Sequence, residues 1–282
     1  MIAWLGTGLL GANFVRKALE RGETVQVWNR TPGKARALEA EGAKAFADAA
    51  AAVRGVSEIH LTLSDDDVVD AVLEPLADLI PAETVIVDHT TTAPTPTGER
   101  ARRWKARGRT FVHAPVFMGP QHAREGSGLM LLSGEPQVRE RVKPLLAPMT
   151  GKILELGDDP ARGAAFKLFG NLMLLTIVGG LADVYTLGRS LGIDPRDAYT
   201  LFTEFNPGNA IAGRGKAMAE GIYSPPNFEL SMARKDLRLM VDEAARHGGK
   251  LDVVPCVAAL FDRYLAAGHG SEDTGVVGSG QA

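Results

Sequence analysis

Lys167 and Asn171 are the residues whose types and spacing offer chemistry, in the run GAAFKLFGNLMLLTIVGG that begins at Gly163. On a helix a spacing of four puts both side chains on one face, where they can meet one small molecule. Phe166, Leu168 and Phe169 flank the lysine, and a long apolar run follows it. Loss of hydration disfavours an ammonium and lowers its pKa toward values useful for proton transfer. The pair therefore reads as two polar groups that face a substrate. From position alone, a solvated surface lysine is the alternative.

A second constellation opens the chain. A short apolar run, 2–5, meets Gly6-Thr7-Gly8-Leu9-Leu10-Gly11, after which Ala12, Phe14, Val15, Ala18 and Leu19 repeat at helical spacing. Strand, glycine turn and helix in this order give G-x-G-x-x-G a mechanism. The first glycine makes the turn, the second admits a pyrophosphate, and the third packs helix on strand, with the helix N-terminus facing the phosphates. The next strand, 24–28, ends at Asn29-Arg30-Thr31, with Lys34 close behind. An acidic residue there would accept from the ribose 2′-hydroxyl of NAD, whereas a guanidinium suits a 2′-phosphate. The expected cofactor is NADP, with NAD possible if Arg30 only stacks on adenine.

Further candidates sit where strands end. Leu63 and Ser64 lie at the carboxyl end of the strand 58–63, and Thr91 stands in the hydroxyl cluster after 84–88, where it reads either as a nicotinamide contact or as helix capping. The strand 110–113 runs into Phe117, Met118, Gly119 and Gln121, a proline-restricted loop suited to holding substrate. Lys235, beside Asp236 early in a helix, is poorly placed for the helix dipole. That points to a partner such as a cofactor phosphate, or to plain surface charge.

The elements that must position these residues alternate. Strands are expected at 2–5, 24–28, 43–46, 58–63, 84–88, 110–113, 128–133 and 152–155, with helices at 32–40, 47–53, from Asp65, and at 136–146. A helix of roughly 30 residues is expected at 158–191, opened by Asp158, Asp159 and Pro160. Being apolar on almost every face, it is expected to be buried. Helical patterns at 195–205, 209–220, 230–247 and 254–267 follow, and the tail after Thr274 is expected to be mobile. The fold class is α/β: a dinucleotide-binding Rossmann domain with a mostly parallel sheet over 1–157, then an all-α substrate and dimerisation domain over 158–282.

Composition narrows the function classes. The chain has 282 residues, is 45% hydrophobic and carries a formal charge of −3 with acids and bases mixed, so neither nucleic acid nor an anionic membrane surface is an expected partner. One cysteine, Cys256, excludes an intrachain disulfide and thiol-rich metal sites, and the six histidines show no ligand spacing. Reducing cytoplasm is the expected setting. No export signal is read at the first residues, and the longest apolar run reads as too short and glycine-broken to span a bilayer.

Taken together, GTGLLG at 6–11, NRT at 29–31, DHTT at 88–91, APV at 114–116, G-x-x-x-K-x-x-x-N at 163–171 and KD at 235–236 cover nearly the whole chain. In this order they resemble the β-hydroxyacid dehydrogenase family, of which 3-hydroxyisobutyrate dehydrogenase is the type. The resemblance implies an N-terminal Rossmann domain, a helical C-terminal domain whose first long helix packs in a homodimer interface, and a cleft between the two. It also implies Lys167 as general acid/base and Asn171 as a substrate-positioning group in hydride transfer between nicotinamide and a small 3-hydroxy acid or its aldehyde. One departure matters: the family continues APV with Ser-Gly-Gly, which holds the substrate carboxylate, and here Phe117-Met118-Gly119 follow. Gln121 or His122 are the replacement polar contacts. An imine reductase shares fold and cofactor but generally lacks the lysine. A catalytically silent dinucleotide-binding module is the alternative outside the enzymes.

Overall fold

The computed structural model describes residues 1–282, which divide into two compact units, Met1–Leu172 and Met173–Ala282. In the first, six parallel strands form one sheet in the order β3-β2-β1-β4-β5-β6. They are β1 (Ile2–Leu5), β2 (Val25–Trp28), β3 (Lys44–Ala45), β4 (Glu58–Leu61), β5 (Val85–Asp88) and β6 (Thr110–His113). A second, three-stranded sheet runs β7 (Val116–Phe117), β8 (Leu129–Leu132) and β9 (Lys152–Glu155), with β7 antiparallel and β9 parallel to β8.

Strand alternation builds two cores. Ile2, Trp4, Val25, Val27, Val85 and Val87 join Phe14 and Val15 of the helix Leu9–Glu20 on one face. Ala3, Leu5, Ile59, Leu61 and Ile86 pack with Val69, Leu73 and Trp104 on the other. A parallel strand must be apolar on both faces because helices cover both, which is why these segments read as continuous apolar runs.

The long helix is Arg162–Ser190. Asp158 and Asp159 lie before its start: Asp159 accepts from the backbone N–H of Ala161, and Asp158 pairs with Arg139. Its expected burial within the chain is overturned, since Leu174, Leu175, Ile177 and Val178 are exposed, Leu175 at 67%. Apolarity all round dictates that a helix be covered, but not by which chain. The helix is also long and apolar enough, by length and composition, to cross a membrane, contrary to the expectation of too short a run. Two polar side chains argue otherwise. Lys167 is buried against Val116 at one end and Asp183 caps another helix at the other, so the stretch between them, 168–182, is shorter than the ~20 residues a hydrocarbon core requires.

In the second unit the helices are Pro195–Glu204, Lys216–Glu220, Leu230–Arg246 and Val254–Ala266, with one π-helical stretch, Ile211–Gly215. Asp183 accepts from the backbone N–H groups of Asp252, Val253 and Val254, neutralising the N-terminus of the last helix. The expected mobile tail is ordered through Gly278: Thr274–Gly278 forms a 3₁₀ turn and Val276 is buried with Leu230 and Tyr264.

Candidate functional site

All six strands of the large sheet are parallel, so the loops that leave their carboxyl ends share one edge, and the order reverses at β1 and β4. Such a switch point is where open α/β sheets take ligands. At the end of β1, Gly6 has φ +99°, a left-handed conformation that favours glycine, and a Cβ there would stand 2.3 Å from the Thr62 carbonyl oxygen. On Gly11 a Cβ would meet the Gly6 carbonyl oxygen at 2.1 Å and Thr62 Oγ1 at 2.2 Å. Around Gly8 there is open space, and the helix it starts has no side-chain cap and no acid in its first turn. Two glycines are thus required by packing, and the third leaves helix N–H groups accessible to an anion.

Hydrogen bonds tie the neighbouring loops to this turn. Asn29 Oδ1 accepts from the Thr7 N–H at 2.9 Å, and Asn29 Nδ2 donates to the Thr31 carbonyl. Thr62 Oγ1 accepts from Trp4 Nε1 and donates to the Gly6 carbonyl at 2.5 Å. The Leu63 N–H donates to Thr90 Oγ1, joining the loops after β4 and β5. Leu10 is half-buried, while Leu9, Arg30, Thr31, Lys34, Ser64 and Thr91 are exposed on these loops. No carboxylate bonds to Arg30 or Lys34, and the carboxyl of Asp65 lies below its usual range through its bonds to Val68 and Ser64, with the Arg30 charge contributing.

Lys167 is 9% exposed. Its Nζ donates to the Val116 carbonyl at 2.8 Å and stands 4.2 Å from the centroid of the Phe117 ring. Burial lowers its pKa from the ordinary lysine value. One of three N–H donors is used, leaving two for a ligand. The helix is seated one turn earlier, where the Gly163 N–H donates to Ser133 Oγ and a Cβ on Gly163 would lie 3.5 Å from Pro115. Gly170 leaves room for Phe117, since a Cβ there would fall 2.2 Å from the ring. Asn171 is half-buried, on the face that carries Lys167.

Other expected residues are placed differently. Met118 and Gly119 are half-buried after β7, whose Val116 carbonyl accepts from Lys167, but Gln121 is exposed and bonds Glu125 on its own helix, while His122 Nδ1 accepts from the Gly119 N–H. Lys235, in the second unit, is exposed and paired with Asp236 at 2.9 Å. The Val116 carbonyl and Gly170 surround Lys167 and Phe117 without having been expected. No spacing rule marks a backbone acceptor, although Gly170 inside an apolar helix was a visible signal of close approach.

A glycine turn at the switch point of a parallel sheet, with a desolvated lysine in the same unit, defines a dinucleotide-dependent oxidoreductase. Residues 1–157 match the NAD binding domain of 6-phosphogluconate dehydrogenase, and residues 161–278 match the NAD-binding domain of NADP-dependent 3-hydroxyisobutyrate dehydrogenase. The chain is 26% identical over 282 residues to 2-(hydroxymethyl)glutarate dehydrogenase of Eubacterium barkeri, covering 98% of this chain and 93% of the relative. It is 27% identical over 285 residues to a probable 3-hydroxyisobutyrate dehydrogenase of Mycobacterium tuberculosis, covering 98% and 96%. An imine reductase from Myxococcus stipitatus in complex with NADP+ superposes with a TM-score of 0.92 over 98% of both chains at 18% identity, a likeness of fold alone. The chain belongs to the β-hydroxyacid dehydrogenase family of 3-hydroxyisobutyrate dehydrogenase type, and is an NAD(P)-dependent oxidoreductase.

Proposed function

We propose that the protein reduces a small aldehyde or oxidises the corresponding 3-hydroxy acid, with NADP preferred and Lys167 as general acid/base. The observation that carries this is the lysine amine, buried yet left with two donors beside a carbonyl and an aromatic face. In the reducing direction a bound nicotinamide supplies the hydride to the carbonyl carbon. Lys167 Nζ gives its proton to the carbonyl oxygen as the alcohol forms, and takes it back in the oxidation. Asn171, on the same helix face, orients the substrate. Gly8 and the helix start after it hold the pyrophosphate, while Arg30 and Lys34 hold the 2′-phosphate. In this reading residues 1–157 bind the cofactor, and residues 158–282 carry the proton donor and the surface for a second copy.

Phe117 and Met118 make the substrate wall bulkier and less polar than the family's Ser-Gly. That favours substrates with a larger or less anionic group, and it keeps reduction of imines as the second reading, in line with the fold likeness to an imine reductase. The exposed apolar flank of the long helix supports a homodimer, and the single exposed cysteine suits a cytoplasmic setting.

The deciding experiment is turnover of a panel of 3-hydroxy acids, short aldehydes and cyclic imines with NADPH, by the wild type and Lys167→Ala. Alcohol or aldehyde turnover should fall about a hundredfold or more in the variant while NADPH binding persists. Unchanged turnover would remove Lys167 from the chemistry, and turnover of imines alone would select the second reading.

A further inference from the structure

A cavity of about 390 Å³ lies in the first unit beside β6, the edge strand of the large sheet. None of the residues assigned above to cofactor or substrate lines it. Its walls are apolar at Ala101, Val112 and Val138. Its charged rim is unbalanced once internal pairs are removed. Glu135 is taken by Lys105 and Asp158 by Arg139, whereas Arg102 and Arg109 have no carboxylate partner, and Arg109 Nε is buried without a hydrogen bond.

One further residue of the cavity wall has a polar atom without a partner. His113 lines the cavity at 2% exposure, and its Nδ1 has no hydrogen-bond partner in the protein. Its Nε2 lies 2.8 Å from the Thr90 carbonyl, which can only accept, so Nε2 carries the proton. Burial lowers the ring's pKa from the ordinary histidine value. Nδ1 is therefore a bare acceptor in need of a donor, and a buried polar atom left unmatched is costly.

We propose that this cavity is a second ligand site, for a small amphipathic carboxylate whose apolar body carries one hydroxyl or N–H donor. The carboxylate pairs with Arg102 and Arg109, the body fills the slot between Ala101, Val112 and Val138, and the donor reaches His113 Nδ1. His113 Nε2 also lies 3.0 Å from Thr92 Oγ1, so the site abuts the loop that follows β5.

The test titrates three probes calorimetrically into the full chain saturated with NADPH. They are 4-hydroxyphenylacetate, phenylacetate, which lacks the hydroxyl donor, and 4-hydroxyphenylethanol, which lacks the carboxylate. The first should bind with a Kd below ~1 mM, and each truncated probe about tenfold more weakly. Arg102→Gln combined with Arg109→Gln should weaken 4-hydroxyphenylacetate at least about tenfold, and Val138→Trp, which fills the slot, should abolish binding. Circular dichroism and NADPH affinity establish that each variant is folded. In the wild type, bound probe should slow hydrogen exchange at residues 109–113 and 133–138, a readout that needs no variant. Absence of binding at about 10 mM, equal affinity for all three probes, or binding lost in Lys167→Met but kept in the arginine double variant would overturn the proposal.

Discussion

The two units of this chain solve the same problem differently. In Met1–Leu172 a parallel sheet has helices over both faces, and before Lys167 the exposed large hydrophobics are only Met1, Leu9, Leu79 and Leu154. In Met173–Ala282 the buried cluster is Leu230, Tyr264 and Val276, while Leu174, Leu175, Ile177, Val178, Tyr199, Leu201 and Ile211 lie exposed. A sheet offers two broad faces that helices of the same chain can cover, whereas helices carry apolar stripes that need neighbours on several sides. The first unit closes its own core, and the second leaves many of its large apolar side chains exposed.

The largest expected effect breaks the first unit. Gly11→Ala sets a Cβ against the Gly6 carbonyl at 2.1 Å, where neither backbone can give way, and should cost about 3 kcal/mol or more in denaturant unfolding. Gly8→Ala, with open space around it, should leave that stability within about 0.5 kcal/mol and weaken NADPH binding instead. Equal destabilisation by both would mean that packing does not distinguish these glycines.

Next comes the unfinished surface of the second unit. Leu175→Glu with Val178→Glu places charge on residues 67% and 56% exposed in the single chain. If that flank joins two copies as proposed, sedimentation should show dimers for the wild type and monomers for the variant, a loss of at least about a hundredfold in association. If both proteins sediment alike, that flank is not the contact between copies.

The units should also part company on acidification. Burial, with His60 beside it, pushes the His89 pKa down to about 3, and burial lowers that of His113 as well. As pH falls from about 6.5, the unfolded chain binds protons that the native rings refuse, so stability is lost through that window, by about 2 kcal/mol at pH 5 for His89, with His113 acting in the same sense. The raised pKa of Asp88, caused by burial, works in the opposite sense and offsets part of this. In the second unit burial alone would raise the Asp183 carboxyl, but the N–H groups of Asp252, Val254 and Val253 hold it below its usual range. Its contribution survives until pH drops below about 4. Hydrogen exchange at pH 7 and pH 5 should show the first unit loosening and the second unchanged; uniform loosening would contradict the contrast.

The smallest effect concerns the loop after β2. Arg30→Glu should raise the KM for NADPH about tenfold and narrow or reverse its advantage over NADH. An unaltered ratio would show that the exposed guanidinium does not read the 2′-phosphate.

Legibility in the sequence followed how local each signal is. Gly6, Gly8 and Gly11, the alternating strands and the lysine-asparagine face could be read because a turn, a pleat and a helical repeat are set by neighbours in the chain. Element ends were less legible. The helix expected at 32–40 stops at Arg36, and the strand expected at 43–46 shrinks to Lys44–Ala45, since their ends depend on contacts with other strands.

What the sequence determined by itself is the order of strand, glycine turn and helix, and the placement of a lysine and an amide on one face of an apolar helix. Tertiary structure alone decided that Lys167 Nζ meets the Val116 carbonyl and the Phe117 ring, and that Gly170 makes room for that ring. It also decided that the flank of the long helix stays open. The reason is physical: covalent neighbours dictate dihedral preference and periodicity, but desolvation and pairing depend on atoms brought together from distant parts of the chain.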